Sequence, residues 1–519
     1  MKKFWKLFLS NAIEINISNK EKLISVIVSL FFCIIFFLIG GYYLNRYILP
    51  GFYSPMSIFG DIVFLIFTIL IGWLLIKINI AKLMTLLSKP FRITALILSI
   101  VILVLNVGIM VESRIHTPTG PNVILMISET LRADHVGCYG YQRNNSDNID
   151  LFSDTAFNFL NAYTVAPCTK PSVWNILTSL YYSKMPARDD YVIISEYFKA
   201  KNYKTAAFIS HHFLEEKKAN LHQGFDVYDS KCRTRGVGMA TRTATSIINE
   251  SIKWVEKNKN SPFFVWLFFY DPHDPYVPPD EHQGYYNKSK DFSGDRRAEG
   301  IHFESEPISP EQKEFLINAY DEEIKYLDYE IGRFLEYLKS VDEFDESIVI
   351  LTADHGEELG DNGNRWDHCQ LVSQEEIAIP LLIKLQGQKE KVVIRDAVQN
   401  IDIYPTIVEH IDAYQLPVYY YMLEGQSLMQ FIMAEESTEE RAAFSFWGKQ
   451  RCIIKGQYKY RYWKGDEYLI NLATGELVYD DDLRNTLIKQ LSEQYEKVIQ
   501  NEDYHRESLR HMRTTGYIH

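Results

Sequence analysis

The sequence predicts an α/β protein: a mostly parallel sheet sandwiched by helices, preceded by N-terminal transmembrane helices and followed by a small C-terminal antiparallel β subdomain. Three observations predict it. Between residues 121 and 440, short continuous apolar runs alternate with stretches of helical periodicity. Three apolar runs near bilayer length precede residue 112. Beyond residue 440 the pattern turns to paired strand-like segments before a final helix. With 519 residues, the chain has room for these parts, and a 47% apolar content suits a packed globule with some membrane. The net charge of −13 excludes a nucleic-acid partner, which needs a basic face. No internal repeat or low-complexity tract interrupts the chain.

The first elements are the runs 23–44, 62–76 and 93–111; extending the second back to Ser57 takes in Asp61 near one end. Two further runs after the first argue against a cleaved signal peptide. Lys2, Lys3, Lys6, Lys20 and Lys22 precede the first run, and Lys77, Lys82, Lys89 and Arg92 lie between the second and third. The intervening loop has only Arg46. By the positive-inside rule, the N-terminus and second loop face the cytoplasm and everything after residue 112 lies outside. The expectation is a multi-pass protein of the cell (inner) membrane, with the lipid bilayer as partner and the main domain on the periplasmic or extracytoplasmic side. The segments follow: 1–22 cytoplasmic, 23–112 three membrane helices, 113–120 linker, 121–440 main domain, 441–519 C-terminal subdomain. Oligomeric state is not readable.

In the main domain, 122–127 is a continuous apolar run, the mark of a strand buried on both faces. Similar runs are 205–209, 263–269, 348–351 and 379–383. Helical periodicity occupies 241–256 and 310–339. In the C-terminal part, 451–462 and 467–471 read as antiparallel strands and 483–500 as a closing helix. The residues that follow four of the runs carry chemistry: Ser128-Glu129, His211-His212, Asp271-Pro272-His273 and Asp354-His355. In open α/β sheets, ligands bind at the carboxyl ends of the strands. Carboxylates and imidazoles delivered to one edge make a metal site the natural product.

The six cysteines include Cys33 inside the first apolar run. The other five face an oxidising space, which permits at most two disulfides and leaves one thiol over. Spacing does not pair them.

Several motifs occur in an order that resembles the sulfatase branch of the alkaline phosphatase superfamily, over residues 120–475. The first strand with Leu131-Arg132-Ala133-Asp134-His135 resembles the family's first strand and metal loop. Asp271-Pro272-His273-Asp274-Pro275-Tyr276 is similar to its histidine motif, and Tyr320-Asp321 through Ile331-Gly332 to its long helix. Thr352-Ala353-Asp354-His355-Gly356-Glu357, His368 ahead of Pro380, and Ile401-Asp402-Ile403-Tyr404-Pro405-Thr406 complete the series. Two departures stand out. The family's paired aspartates are replaced by Ser128-Glu129. Its Cys-x-Pro-Ser-Arg nucleophile box, whose cysteine becomes formylglycine, is replaced by Cys168-Thr169-Lys170-Pro171-Ser172-Val173. Glutamate with threonine is similar to the membrane-bound phosphoethanolamine and phosphoglycerol transferases of the same superfamily.

The resemblance implies a metal set of Glu129, Thr169, Asp354 and His355, with Thr169 as nucleophile. One divalent ion is expected; His355 favours zinc or manganese, with calcium or magnesium as the oxygen-preferring alternatives. Pro171 suits the first turn of a helix, which would set Thr169 at a positive dipole end. Lys170, His273 and His368 are expected to bind the substrate's oxygens, and the two histidines to shuttle protons. A threonine carries no second hydroxyl on its Cβ, so it cannot expel sulfate as a hydrated aldehyde does. The expected function is therefore a membrane-anchored phosphotransferase or phosphodiesterase acting on a phospholipid or surface glycan. Sulfate ester hydrolysis is the alternative, and a catalytically inactive membrane sensor or scaffold the second. Plainer readings stand beside these. Arg132 and Asp134 brace the metal loop by a salt bridge, His211 and His212 are peripheral, and Tyr419-Tyr420-Tyr421 is packing. Asp480 to Asp482 form a solvated turn, 280–307 is a lid, and Cys168 is an ordinary thiol or, shifted by one residue, the modified cysteine.

Overall fold

Every residue from Asn122 to Ser128 is buried in the computed structural model, as the unbroken apolar run requires. The structure describes residues 120–181, 191–234, 240–287, 296, 308–363, 365–412, 416–433 and 441–514. The chain divides into two units, Met1–His116 and Thr117–His519, and the described residues lie in the second. The three expected membrane runs, and most of the expected lid 280–307, lie outside the described residues. Among the described residues no helix is long and apolar enough to cross a membrane.

The main sheet has nine strands. In chain order they are β1 (Asn122–Ser128), β2 (Phe157–Tyr163), β3 (Lys204–Ile209), β4 (Val227–Asp229), β5 (Phe263–Phe269), β6 (Ser347–Ala353), β7 (Ala378–Ile379), β8 (Leu381–Lys384) and β9 (Val392–Gln399). The spatial order is β7-β2-β8-β6-β1-β5-β3-β4, with β9 beside β2. The block β6-β1-β5-β3-β4 is parallel throughout. The run 379–383, expected as one strand, is split at Pro380, which has no N–H for a ladder. Its halves pair antiparallel with β2 and β6. Three strands were not expected: β4 is only three residues long, and β2 and β9 mix polar residues into their sequences and lack a continuous apolar run.

Register decides where chemistry emerges. Ser128 pairs with Phe269 on one side and with Ala353 on the other. The residues that follow, Glu129 and Asp354, therefore leave the sheet at the same level. Ile209 pairs with Phe268, which brings His211 to the same edge. Burying each large apolar side chain of these strands contributes roughly 1.5–3 kcal/mol, and a one-residue slip exposes a whole face.

Seven helices matter here: α1 (Asp147–Ser153), α2 (Thr169–Thr178), α3 (Ile194–Ala200), α4 (Ala244–Asn258), α5 (Pro310–Ser340), α6 (Ile403–Asp412) and α7 (Asp481–Thr514). Helix α5 starts where its sequence says it should: Ser309 caps it through Gln312 N, and Pro310 opens it. Its Tyr320 hydroxyl donates to Thr130 O at 2.7 Å and accepts from Arg132 N at 3.0 Å, fixing the loop after β1. Asp321 holds the same loop through His135 at 2.8 Å and Arg143 at 2.6 Å.

Past residue 441, strands β10 (Ala442–Trp447), β11 (Gln450–Lys455), β12 (Tyr458–Trp463) and β13 (Asp466–Asn471) form an antiparallel meander. Its Ala443, Cys452 and Ile454 pack with Tyr163, Val372 and Ile377 of the main domain. Leu487 and Leu491 of α7 cover the other face through Ile453, Tyr460 and Leu469. Asp480 to Asp482 are solvated as expected, but they open a helix: the Asp480 carboxylate accepts from Leu483 N at the start of α7. Of the tyrosine run, Tyr420 packs against the core, whereas Tyr421 is 80% exposed.

Candidate active site

Glu129, Asp354 and His355 meet at the carboxyl edge of β1 and β6, fully buried, with one donor atom from each within 4.8 Å of the others. Thr169 joins them: its hydroxyl donates to Glu129 Oε1 at 2.7 Å and lies 3.3 Å from His355 Nε2. The four residues expected as a metal set are thus one cluster. Its chemistry fits a divalent cation. Glu129 Oε2 and Asp354 Oδ2 are buried and have no hydrogen-bond partner, and such orphaned acceptors are costly unless a cation meets them. Burial, and then the charge of Glu129, push the Asp354 carboxyl well above the usual carboxylate range. Burial works in the same direction on Glu129, but His211 and then His273 outweigh it and hold that carboxyl at about 2. Burial, then the neighbouring His368, keep His355 neutral, as a ligand imidazole must be.

The position of Thr169 has a local cause. Cys168 is extended and Thr169 is the first residue of α2. Pro171 falls in the first turn, where its missing N–H costs nothing. Thr169, 4% exposed, therefore sits at the helix end whose free N–H groups and dipole favour an anion. Ser172, one turn on, donates to Asp354 O at 2.5 Å and ties the helix to the metal loop. The loop itself is bent at Thr130, where a β-branched residue has φ +57°.

Three histidines surround the cluster. His273 Nδ1 donates to the Asp274 carbonyl, leaving Nε2, 3.9 Å from Glu129 Oε1, as the acceptor. Burial lowers His273 to about 4, so it is neutral. His368 is the opposite case. Burial works against its charge, but Glu357 and then Asp367 raise it well above the usual imidazole range. Its Nδ1 is 2.9 Å from Asp367 Oδ1 and 3.5 Å from Glu357 Oε2, and its ring centre is 4.8 Å from that of His273. His211 corrects the sequence reading: it is not peripheral, because its Nδ1 is 2.8 Å from Glu129 Oε1. Lys170 points its ammonium over the Phe213 ring at 5.2 Å, a cation–π contact beside the cluster.

Arg132 and Asp134 do form the expected salt bridge, at 2.8 Å, and Arg132 adds Asp361 at 2.6 Å. Cys168 is neither an ordinary thiol nor a candidate for modification: it is bonded to Cys369. Cys138, Cys232 and Cys452 remain thiols among the described residues. Sequence reasoning missed His211, Glu357, Asp367 and this disulfide. The one available signal was adjacency, since Cys168 precedes Thr169 and Cys369 follows His368.

Gly356, just after Asp354 and His355, has no room for a side chain: a Cβ would lie 1.9 Å from Glu375 O. Gly356→Ala is expected to shift Asp354 and His355 and to cost about 1–3 kcal/mol. Melting curves and metal stoichiometry check this, and a variant equal to wild type in both refutes it.

The Sulfatase family model matches residues 121–413. The arylsulfatase of Clostridium perfringens (strain 13 / Type A) is 25% identical over 395 residues, covering 61% of this chain and 79% of that protein. An ulvan-active sulfatase of Formosa agariphila is 22% identical over 392 residues, covering 68% and 73%. In fold, the chain is similar to a phosphonate monoester hydrolase from Silicibacter pomeroyi, with TM-score 0.57 and 19% identity over 73% of this chain and 96% of that one.

Proposed function

The chain belongs to the sulfatase family, and on that premise we propose that it is a metal-dependent hydrolase of anionic esters that uses Thr169 as nucleophile, with sulfate esters as the first substrate class. The names of its relatives support sulfate over the phosphoryl transfer expected from the threonine. The observation that carries the reading is the Thr169 hydroxyl, 2.7 Å from Glu129 within a buried carboxylate–imidazole cluster.

Glu129, Asp354 and His355 would hold the ion, with Thr169 Oγ1 as a fourth donor. When bound, a divalent ion supplies Lewis acidity that lowers the hydroxyl pKa and polarises a substrate oxygen. Glu129 Oε1 receives the Thr169 hydrogen bond and is itself oriented by His211. The N-terminus of α2 faces the developing negative charge. As the bond from Thr169 Oγ1 to the central atom forms, the Thr169 proton passes to Glu129 Oε1, and the bond to the leaving alcohol breaks with a proton from cationic His368. Neutral His273 then takes a proton from the water that resolves the threonine ester and passes it to the adjacent His368, while Glu129 returns its proton to Thr169 Oγ1.

A second reading, phosphoryl transfer or phosphodiester hydrolysis, is favoured by the Cys168–Cys369 disulfide. It leaves no thiol in the nucleophile box to become formylglycine, so the covalent ester must be resolved at its central atom, which suits phosphorus. Anchoring in the cell membrane, with the site outside the cytoplasm, belongs to the proposal on the strength of the apolar runs and the Lys/Arg asymmetry. A phospholipid or surface glycan is the corresponding substrate.

A panel of aryl sulfate, phosphodiester and phosphomonoester tests it, before and after chelation. The first reading expects chelator-sensitive turnover led by the sulfate. Turnover led by the phosphodiester, with a phosphorylated Thr169 peptide in trapped enzyme, replaces it with the second. Turnover that survives complete metal removal overturns both.

A further inference from the structure

The two half-cystines lie 201 residues apart in sequence, yet each is the immediate neighbour of a site residue. Cys168 precedes Thr169, and Cys369 follows His368. The bond therefore joins the segment carrying the nucleophile to the segment carrying the cationic imidazole. We propose that the Cys168–Cys369 disulfide is a positioning device that holds His368 against the nucleophile centre. The inference rests on the role given to His368 in the hydrolase reading.

The backbone around His368 shows why such a device is needed. Asp367 has φ +77° and Cys369 has φ +61°, both in the left-handed region that side chains seldom adopt. A segment with two such residues flanking its functional group keeps that shape only when its surroundings impose it. The surroundings come from two sides. From the nucleophile side, Cys369 N donates to Pro167 O at 2.9 Å, and the disulfide adds a covalent tie. From the C-terminal meander, Trp447 Nε1 donates to Cys369 O at 2.6 Å. With the disulfide open, the hydrogen bonds alone must hold Cys369, and His368 is free to leave its place beside His273 and His355. Three of the four donors do not share this dependence, and the fourth, Thr169, keeps its place in α2 and its hydrogen bond to Glu129. Glu129, Asp354 and His355 are fixed by β1, β6 and the loop after them, so opening the bond leaves the ion bound.

Both half-cystines are partly exposed, so a reductant can reach them. A dithiol delivers two electrons and two protons to the bond, giving two thiols, and closes to its own disulfide. Turnover is expected to fall about 10–100-fold on reduction, the order of effect of an ångström-scale misplacement. Metal stoichiometry is expected to stay constant, and activity to return on reoxidation. The Cys168→Ser/Cys369→Ser double variant is expected to be slow and indifferent to reductant.

The deciding measurement is a cycle with His368→Gln, using kcat on the best ester of the panel. If the disulfide acts through His368, reduction slows wild type but has little further effect on His368→Gln. Equal slowing in both backgrounds shows a general structural brace and overturns the inference. So does a thiol count that does not rise by two on reduction. A His368→Gln variant as fast as wild type, by contrast, removes the role of His368 and thus the hydrolase reading's proton donor. Reversible reduction of the folded wild type keeps the test valid if the double variant fails to fold.

Discussion

Replacing Thr169 by alanine is expected to lower kcat/KM by about 10³-fold or more, because it removes the atom that forms the covalent intermediate. The fold should survive. The hydroxyl makes two buried hydrogen bonds, to Glu129 Oε1 and to His355 Nε2, and losing them costs about 1 kcal/mol each. Glu129 keeps His211 as a partner at 2.8 Å, and the three remaining donors keep the ion. Thr169→Ser retains an oxygen at the same place and should stay within about tenfold of wild type. Steady-state rates with metal analysis separate the outcomes. Wild-type turnover in a metal-replete Thr169→Ala enzyme would show that the hydroxyl is not the nucleophile.

Asp354→Asn should abolish tight metal binding and, with it, turnover. Its effect on stability changes sign with the ion. In metal-stripped protein, Asp354 is held well above its ordinary range by burial and by Glu129. Its folded-state pKa is raised, so between the unfolded and folded values the native state holds the extra proton. Stability therefore falls as pH rises through that window, and the penalty is fully present above it. Asparagine has no such charge. Stripped Asp354→Asn should accordingly melt higher than stripped wild type at neutral pH, on the order of 2 °C for each kcal/mol recovered. The two should converge in acid. With ion present the order reverses, since a ligand at a hundredfold excess over its Kd stabilises wild type by roughly 2.7 kcal/mol. Paired melts at acid and neutral pH, with and without chelator, give the answer. A stripped variant less stable than stripped wild type at neutral pH contradicts the like-charge account.

Much of this site was legible because strands buried on both faces announce themselves, and the residue after each is then an edge residue. Glu129, Asp354 and His355 were placed by that reasoning. Thr169 was named by the resemblance of its segment to the family's nucleophile box, and Pro171 added only that it opens a helix. What stayed hidden depends on distances between strands that no local pattern encodes. His211 touches Glu129 only because β3 lies two strands from β1 in matched register. The pairing of Cys168 with Cys369 joins loops far apart in sequence, and five cysteines allow many partners. Glu357 and Asp367 meet His368 only through the fold of the loop between them, which no local pattern encodes. Strands β2 and β9 escaped notice because polar residues such as Asn158, Asn161 and Arg395 break their apolar pattern.

The meander after residue 441 has a consequence for how this protein can be cut. The family match ends at residue 413, and a fragment designed on that boundary would look complete. It would lack Trp447, which grips Cys369 O, and Gln450, whose amide donates to Gln370 O at 2.5 Å. Those two side chains hold the carbonyls of the two residues that follow His368. The meander thus helps to hold the backbone just after His368, and a chain cut at residue 413 would lack both of these contacts.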